Sequence, residues 1–185
     1  MDIAYWSDSA PLKFASILLC VFAALTNIRT ADGRLVASAL AFTAGADWFL
    51  LIKGEQYLLG VSLFCIVQAL YFIRLSMQRG RVLRRLLPFR VLPLFILLCK
   101  PDLLIAVSLF YFTNLVLNAA EACLFQPKDR KALLFAVGLL LFIGCDVCVG
   151  AHNLGLWNAF TRVGMWLFYL PSQVLIVLSA HSKGE

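Results

Sequence analysis

Histidine and charge are both scarce in this chain. There are two histidines, His152 and His181, and only 14% of the 185 residues are charged. Soluble domains are about 25% charged and roughly 45–50% apolar. Here the apolar share is 62% and the mean hydropathy is +0.89. A chain this short cannot enclose so much apolar surface, because small folded domains keep much of their surface in water. That excludes a soluble globular fold and, despite the net charge of +6, a nucleic-acid-binding module; no nucleic-acid partner is expected. Two histidines exclude a three-histidine catalytic zinc site. Neither lies inside an apolar run, so no Ser-His-Asp set is expected either. Polar runs are missing as well, which together with 15 Phe excludes disorder. The apolar/polar alternation of a membrane barrel is absent, and so is any linker long enough to separate domains. Residues 1–185 read as one transmembrane domain.

What is present is a series of continuous apolar runs about 17–22 residues long, the length at which a helix crosses a bilayer. Seven are expected, at 11–28, 35–52, 58–76, 83–99, 103–124, 132–150 and 159–180. The fourth carries Arg90 between Pro88 and Pro93. Proline removes a backbone donor and kinks a helix, although a bundle tolerates it where neighbours satisfy the freed groups. The fold class is all-α: a polytopic membrane bundle of seven transmembrane helices. With the N-terminus outside and the C-terminus inside, twelve of the sixteen basic residues fall on the inner side. The positive-inside rule favours that orientation. The expected location is a cell membrane, the inner one if the source is bacterial. The acidic start, with Asp2 and Asp8, lacks a basic n-region, so no cleaved signal peptide is expected. The basic run Arg79–Arg85 reads as a topology determinant, with anionic lipid headgroups as a further partner.

Within the spans, polar residues mark function, because an ionised group at the bilayer centre costs at least ~2.5–3.5 kcal/mol on insertion scales. Asp47 and Asp146 stand out. Each lies four or five residues before the outer end of its span, roughly 6–8 Å deep at ~1.5 Å per residue. Each also follows a glycine by two positions, Gly45 and Gly144, and glycine permits close helix approach. If their spans are neighbours, the two carboxyls face one pocket. Three further pairs share helical faces: Gln68 with Tyr71, Asn114 with Asn118, and Tyr169 with Gln173. Singly they read as interhelical glue; together they line a polar chamber between spans two, three, five, six and seven. Glu121 is expected to reach the inner interface. The interval from Asp47 to Tyr71 is echoed by that from Asp146 to Tyr169, a faint sign of a parallel repeat.

Six cysteines lie in or at the ends of apolar runs, where they act as small hydrophobes. No disulfide framework is expected. Cys145 and Cys148 flank Asp146 as C-x-x-C, but no second Cys or His pair stands at ligand spacing, so no metal site is expected.

Several stretches carry a likeness. Ala46-Asp47-Trp48, the run Phe64–Tyr71, the run Leu141–Asp146 and the run Phe168–Ile176 resemble the YhhN/TMEM86 family of membrane proteins in content, order and spacing. Pro11-Leu12-Lys13 corresponds to a Lys-Pro pair near an early family helix. The chain departs from the family pattern in having Ala46 where glycine is usual and Gln68 where histidine is usual. Many members have eight helices, so this chain is expected to lack the first.

The resemblance implies a lysoplasmalogenase: hydrolysis of the vinyl ether bond of a lysophospholipid to a fatty aldehyde and a glycerophospho-alcohol. Protonation of the vinyl β-carbon gives an oxocarbenium ion, water adds, and the hemiacetal collapses. Glycosidases divide two carboxyls between acid and base at a similar cation. The acid must keep its proton near neutral pH, which apolar surroundings and a second carboxyl nearby both favour in general. Asp47 and Asp146 are the expected acid/base pair. Gln68, Tyr71, Tyr169 and Gln173 would orient water and glycerol oxygens, with Asn114 and Asn118 completing the substrate-binding set. No metal or organic cofactor is required; the expected partners are the lysophospholipid substrate and membrane lipids. The residues alone also admit a small proton-coupled transporter using the same carboxyls, or a non-catalytic lipid-binding bundle.

Overall fold

Short polar side chains between the apolar runs set where helices begin. Thr30 accepts a hydrogen bond from the Gly33 amide, Asp129 from that of Lys131, and Asp102 from that of Leu104. Each thereby satisfies a donor that the first helical turn leaves unpaired. The computed structural model describes residues 10–79, 86–99, 102–124, 129–156 and 159–181. Among them are seven α-helices and no strand: α1 (Ala10–Leu25), α2 (Ala31–Asp47), α3 (Tyr57–Arg79), α4 (Leu87–Val91), α5 (Leu103–Leu124), α6 (Arg130–Asn153) and α7 (Ala159–Ala180). Most of the basic run Arg79–Arg85 lies outside the described residues.

Five of these segments are long and apolar enough to cross a membrane: α2 with its extension to Lys53, α3, α5, α6 and α7. The helix α1 is apolar but only 16 residues long. The expected fourth span is not one helix. Its described part is the five-residue α4, followed by a 3-10 stretch over Leu92–Cys99. Pro88 sits in the first turn, where its missing N–H costs nothing, whereas Pro93 interrupts the α-helical ladder.

The helices close into a ring. Neighbours α1 and α2, α2 and α3, α3 and α5, α5 and α6, and α6 and α7 pack together, and α7 returns to α1 and α2. The broken segment 87–99 lies outside the ring against α5. Contact is most extensive between α6 and α7. A Cβ at Gly138 would stand 2.9 Å from Ile176, and one at Gly164 2.6 Å from the Cys148 sulfur, so glycine is what lets these two backbones approach. Gly45 has no such role, since a Cβ there would make ordinary contact at 3.5 Å.

The ring places polar groups inward and large apolar side chains outward. Leu19, Phe22, Ile105, Leu140 and Leu167 are all exposed, whereas Gln68, Arg74, Asn118 and Gln173 are buried. Lipid tails accept the first set without penalty. The second set must find hydrogen bonds inside. At the Asp32 end of the ring Arg74 does so fully. Its Nε and Nη2 donate to the two Asp32 carboxylate oxygens at 2.6 and 2.8 Å, its Nη1 donates to Ser179 Oγ at 2.8 Å, and its plane stacks on Phe135. This fork ties α2, α3 and α7 together. A second buried pair, Arg90 Nη2 with Glu121 Oε1 at 2.9 Å, holds the broken segment to α5. Glu121 therefore does not reach out to the interface as its position near the helix end implied. A buried cation on the adjacent segment holds it against that segment.

Candidate functional site

Asp47 is the last residue of α2, at the point where the helix widens into a π-helical turn over Trp48–Lys53. The Trp48 amide there is shared between the Ala44 and Gly45 carbonyls. Such wide turns recur at functional positions. The Asp47 side chain is 5% exposed and accepts a hydrogen bond from the Tyr169 hydroxyl of α7. Asp146, partly buried on α6, accepts one from the Tyr111 hydroxyl of α5. The two carboxyls are within electrostatic reach of each other, as are the two tyrosines. Four helices thus contribute two Asp–Tyr pairs, and α2 and α6 are not among the helix pairs that pack extensively against each other.

Aromatic rings join the pairs. Phe64 lies 5.4 Å from the Tyr111 ring, Phe142 lies 5.8 Å from Phe64, and Tyr169 lies 6.1 Å from Phe142. A chain of ring contacts thus links the two Asp–Tyr pairs. Ring faces carry negative charge density and attract cations.

A second polar layer lies further in. Gln68 and Gln173 are each six residues before the partners Arg74 and Ser179, so each sits roughly 9 Å along its helix from that contact. Asn118 Nδ2 donates to the Gln68 backbone oxygen and to Gln68 Oε1, both at 3.0 Å. Four atoms of the layer have no hydrogen-bond partner among the described residues: Gln68 Nε2, Asn118 Oδ1, Tyr71 Oη and Gln173 Oε1. All four residues are at most 2% exposed. Leaving such an atom unpaired costs about 1–3 kcal/mol. Donors and acceptors are both present, which suits water or the hydroxyls of a ligand.

Not every expected lining residue is available. Asn114 accepts from Arg90 Nη1 at 3.1 Å and donates to the Arg90 and Phe110 carbonyls. It faces the broken segment, while Asn118, rotated by roughly 40° on α5, faces the interior. The echo between the intervals Asp47–Tyr71 and Asp146–Tyr169 does not describe a repeat of paired partners, because Asp47 binds Tyr169 and Asp146 binds Tyr111.

The model of the YhhN family matches residues 9–180. The chain belongs to the YhhN family. No curated protein and no solved structure matches it. In this YhhN protein the stretches around Asp47, Gln68, Asp146 and Tyr169 come from four different helices and converge on one interior. Tyr111 is the partner of Asp146 that sequence reasoning missed. It precedes Asn114 by three and Asn118 by seven residues, so it continues the stripe already noted on that helix. Among the described residues five cysteines are free thiols, including Cys145 and Cys148 beside Asp146. Among the described residues no group of three His, Cys, Asp or Glu side chains is placed to hold a metal ion.

Proposed function

We propose that this YhhN protein is an intramembrane hydrolase of lysoplasmalogens, cleaving their vinyl ether bond to a fatty aldehyde and a glycerophospho-alcohol. The observation that carries the reading is the pair of Asp–Tyr hydrogen bonds, Asp47 with Tyr169 and Asp146 with Tyr111, meeting over the Phe64 and Phe142 rings. One carboxyl protonates the vinyl β-carbon. The other, with the aromatic faces, stabilises the oxocarbenium ion and takes a proton from the attacking water. The hemiacetal then breaks its carbon–oxygen bond, giving aldehyde and a free glycerol hydroxyl. One water is consumed and no oxidant is needed. The unpaired atoms of Gln68, Tyr71, Asn118 and Gln173 hold that water beneath the reacting carbon. The hydrocarbon chain enters sideways from the bilayer, and α1 and the broken segment also cross it, giving seven crossings with the N-terminus outside.

The test is aldehyde release from lysoplasmenyl lipid, followed by mass spectrometry, with the matched acyl lysolipid as control. Asp47→Asn and Asp146→Asn are each expected to lower turnover by at least about 100-fold, the usual range for loss of a general acid or base, in protein that still elutes as folded. Release that survives both changes overturns the acid/base assignment. Substrate-driven proton movement in proteoliposomes without aldehyde would indicate a transporter.

A further inference from the structure

Polar groups recur at successive levels through the ring interior, and the last buried one is a cation. Phe64 and Tyr169 each stand ten residues before the bonded partners Arg74 and Ser179, and both touch the Phe142 ring. The helices α3 and α7 therefore run the same way, with about 15 Å between the two levels. Tyr169 and Asp47 belong to the first level. Gln68 and Gln173 follow about one turn along, with Asn118 bonded to Gln68, and Tyr71 comes one turn after Gln68. These four residues carry the unpaired buried atoms. Tyr71 is within electrostatic reach of Tyr111 at the first level and of Arg74 at the last. Successive polar side chains are thus roughly 4.5–6 Å apart along their helices, a gap that one bridging water closes. The column is reachable from both ends: Asp146 is only partly buried, and the Asp32 carboxyl keeps 31% exposure.

We propose that Arg74 is the barrier that stops protons from passing along this column, so that a bundle with a polar interior stays proton-tight. Water, tyrosine hydroxyls and carboxyls both accept and donate, so a file of them relays protons. A guanidinium breaks the file. It has five N–H donors, no acceptor, and stays charged, and its charge repels a hydronium ion, as an arginine does in water-selective pores. Arg74 is well placed for this. The helices α3 and α7 are not among the pairs that pack extensively, yet its side chain spans the interior from one to the other. Nε and Nη2 donate to Asp32, Nη1 donates to Ser179 Oγ, and Nη2 also donates to the Ser179 carbonyl at 3.2 Å. The Ser179 hydroxyl hydrogen is itself committed to the Ile176 carbonyl at 2.6 Å. The Phe135 ring stacks on the guanidinium plane. A cation that is 1% exposed thus separates the polar interior from the partly exposed Asp32 carboxyl. The need for such a barrier holds whatever reaction the two aspartates perform, because a proton path through a membrane-spanning ring would dissipate any proton gradient across it.

The test is proton flux into vesicles of phosphatidylcholine and phosphatidylglycerol carrying the full chain. A potassium gradient with valinomycin drives the protons, and a trapped pH-sensitive dye reports them. Wild-type vesicles are expected to acidify no faster than protein-free ones. Arg74→Gln puts an amide, which both donates and accepts, in place of the cation. It is expected to raise the rate at least about tenfold, which takes only about 1.4 kcal/mol off the barrier. Asp32→Asn loosens the same fork but leaves the cation, and is expected to stay tight. Gln173→Leu added to Arg74→Gln interrupts the column at another level and is expected to restore tightness. A leaky wild type, a tight Arg74→Gln, or an Asp32→Asn as leaky as Arg74→Gln overturns the barrier. Leak that persists in the double variant overturns the route. If Arg74→Gln does not fold, Ser179→Asp decides: it keeps the guanidinium and sets beside it a carboxyl that takes and releases protons. Leak is expected there, and tight vesicles overturn the proposal.

Discussion

Tyr169 donates its hydroxyl hydrogen to Asp47 from a helix 122 residues further along the chain. The bond joins α7 to the point where α2 loosens into a π-helical turn, so it fixes a carboxyl on a segment that lacks the full α-helical ladder. Tyr111 does the same for Asp146 from α5. On the proposed chemistry these tyrosines are positioning residues. Tyr169→Phe and Tyr111→Phe are each expected to lower kcat for aldehyde release by about 10–100-fold, less than the loss of a carboxyl, with KM changed little. A rise in KM at unchanged kcat would remove the tyrosines from the reacting end of the site.

Arg74 and Asp32 give a prediction about stability. The Arg74 guanidinium is buried, and its bonds run to Asp32 and Ser179. Arg74→Ala is expected to cost about 3–5 kcal/mol, the range for breaking a buried ion pair by removing one partner. Asp32→Asn is expected to cost less, because Asp32 keeps 31% exposure and the amide oxygen still accepts. Thermal melts in detergent compare the two. Equal losses would mean that the carboxylate charge, rather than the filled guanidinium, holds the inner end.

Gly164 tests the α6–α7 contact. A Cβ there would stand 2.6 Å from the Cys148 sulfur. Gly164→Ala is expected to destabilise by about 1–3 kcal/mol, as overpacking does, and Cys148→Ala in the same chain is expected to restore most of it by deleting the obstructing atom. Additive losses in the double variant would show that the clash is relieved some other way.

Membrane orientation is checked by labelling. In a background without reactive thiols, single cysteines in place of Glu55 and Arg81 are expected to react from opposite sides, Glu55 from outside. The intervening α3 is long and apolar enough to cross. Labelling of both from one side would contradict the orientation inferred from basic residues.

Much of this architecture was legible in the runs of Leu, Phe, Val and Ile, because lipid forces every backbone polar group to be satisfied within its own helix. Asp47 and Asp146 were legible for a related reason: a carboxyl in an apolar run is costly and demands a purpose. The broken fourth segment was foreshadowed by Pro88 and Pro93, but the buried pairing of Arg90 with Glu121 was not, since each reads as a residue near a helix end until its partner is known. Asn114 and Asn118 looked equivalent at helical spacing, and only the neighbours of α5 separate them.

Composition and periodicity on their own therefore set the solvent of this protein, five of its expected crossings and the two residues most out of place in oil, since all three follow from local free energies of transfer. Partners did not follow. That Asp47 takes Tyr169 and Asp146 takes Tyr111, and that the rings of Tyr111, Phe64, Phe142 and Tyr169 contact one another in sequence, were decided by how six helices close into a ring. Hydrogen bonds in a dry interior are short-ranged and directional, so which side chains meet depends on helix rotation and packing distance, quantities that no stretch of sequence carries by itself.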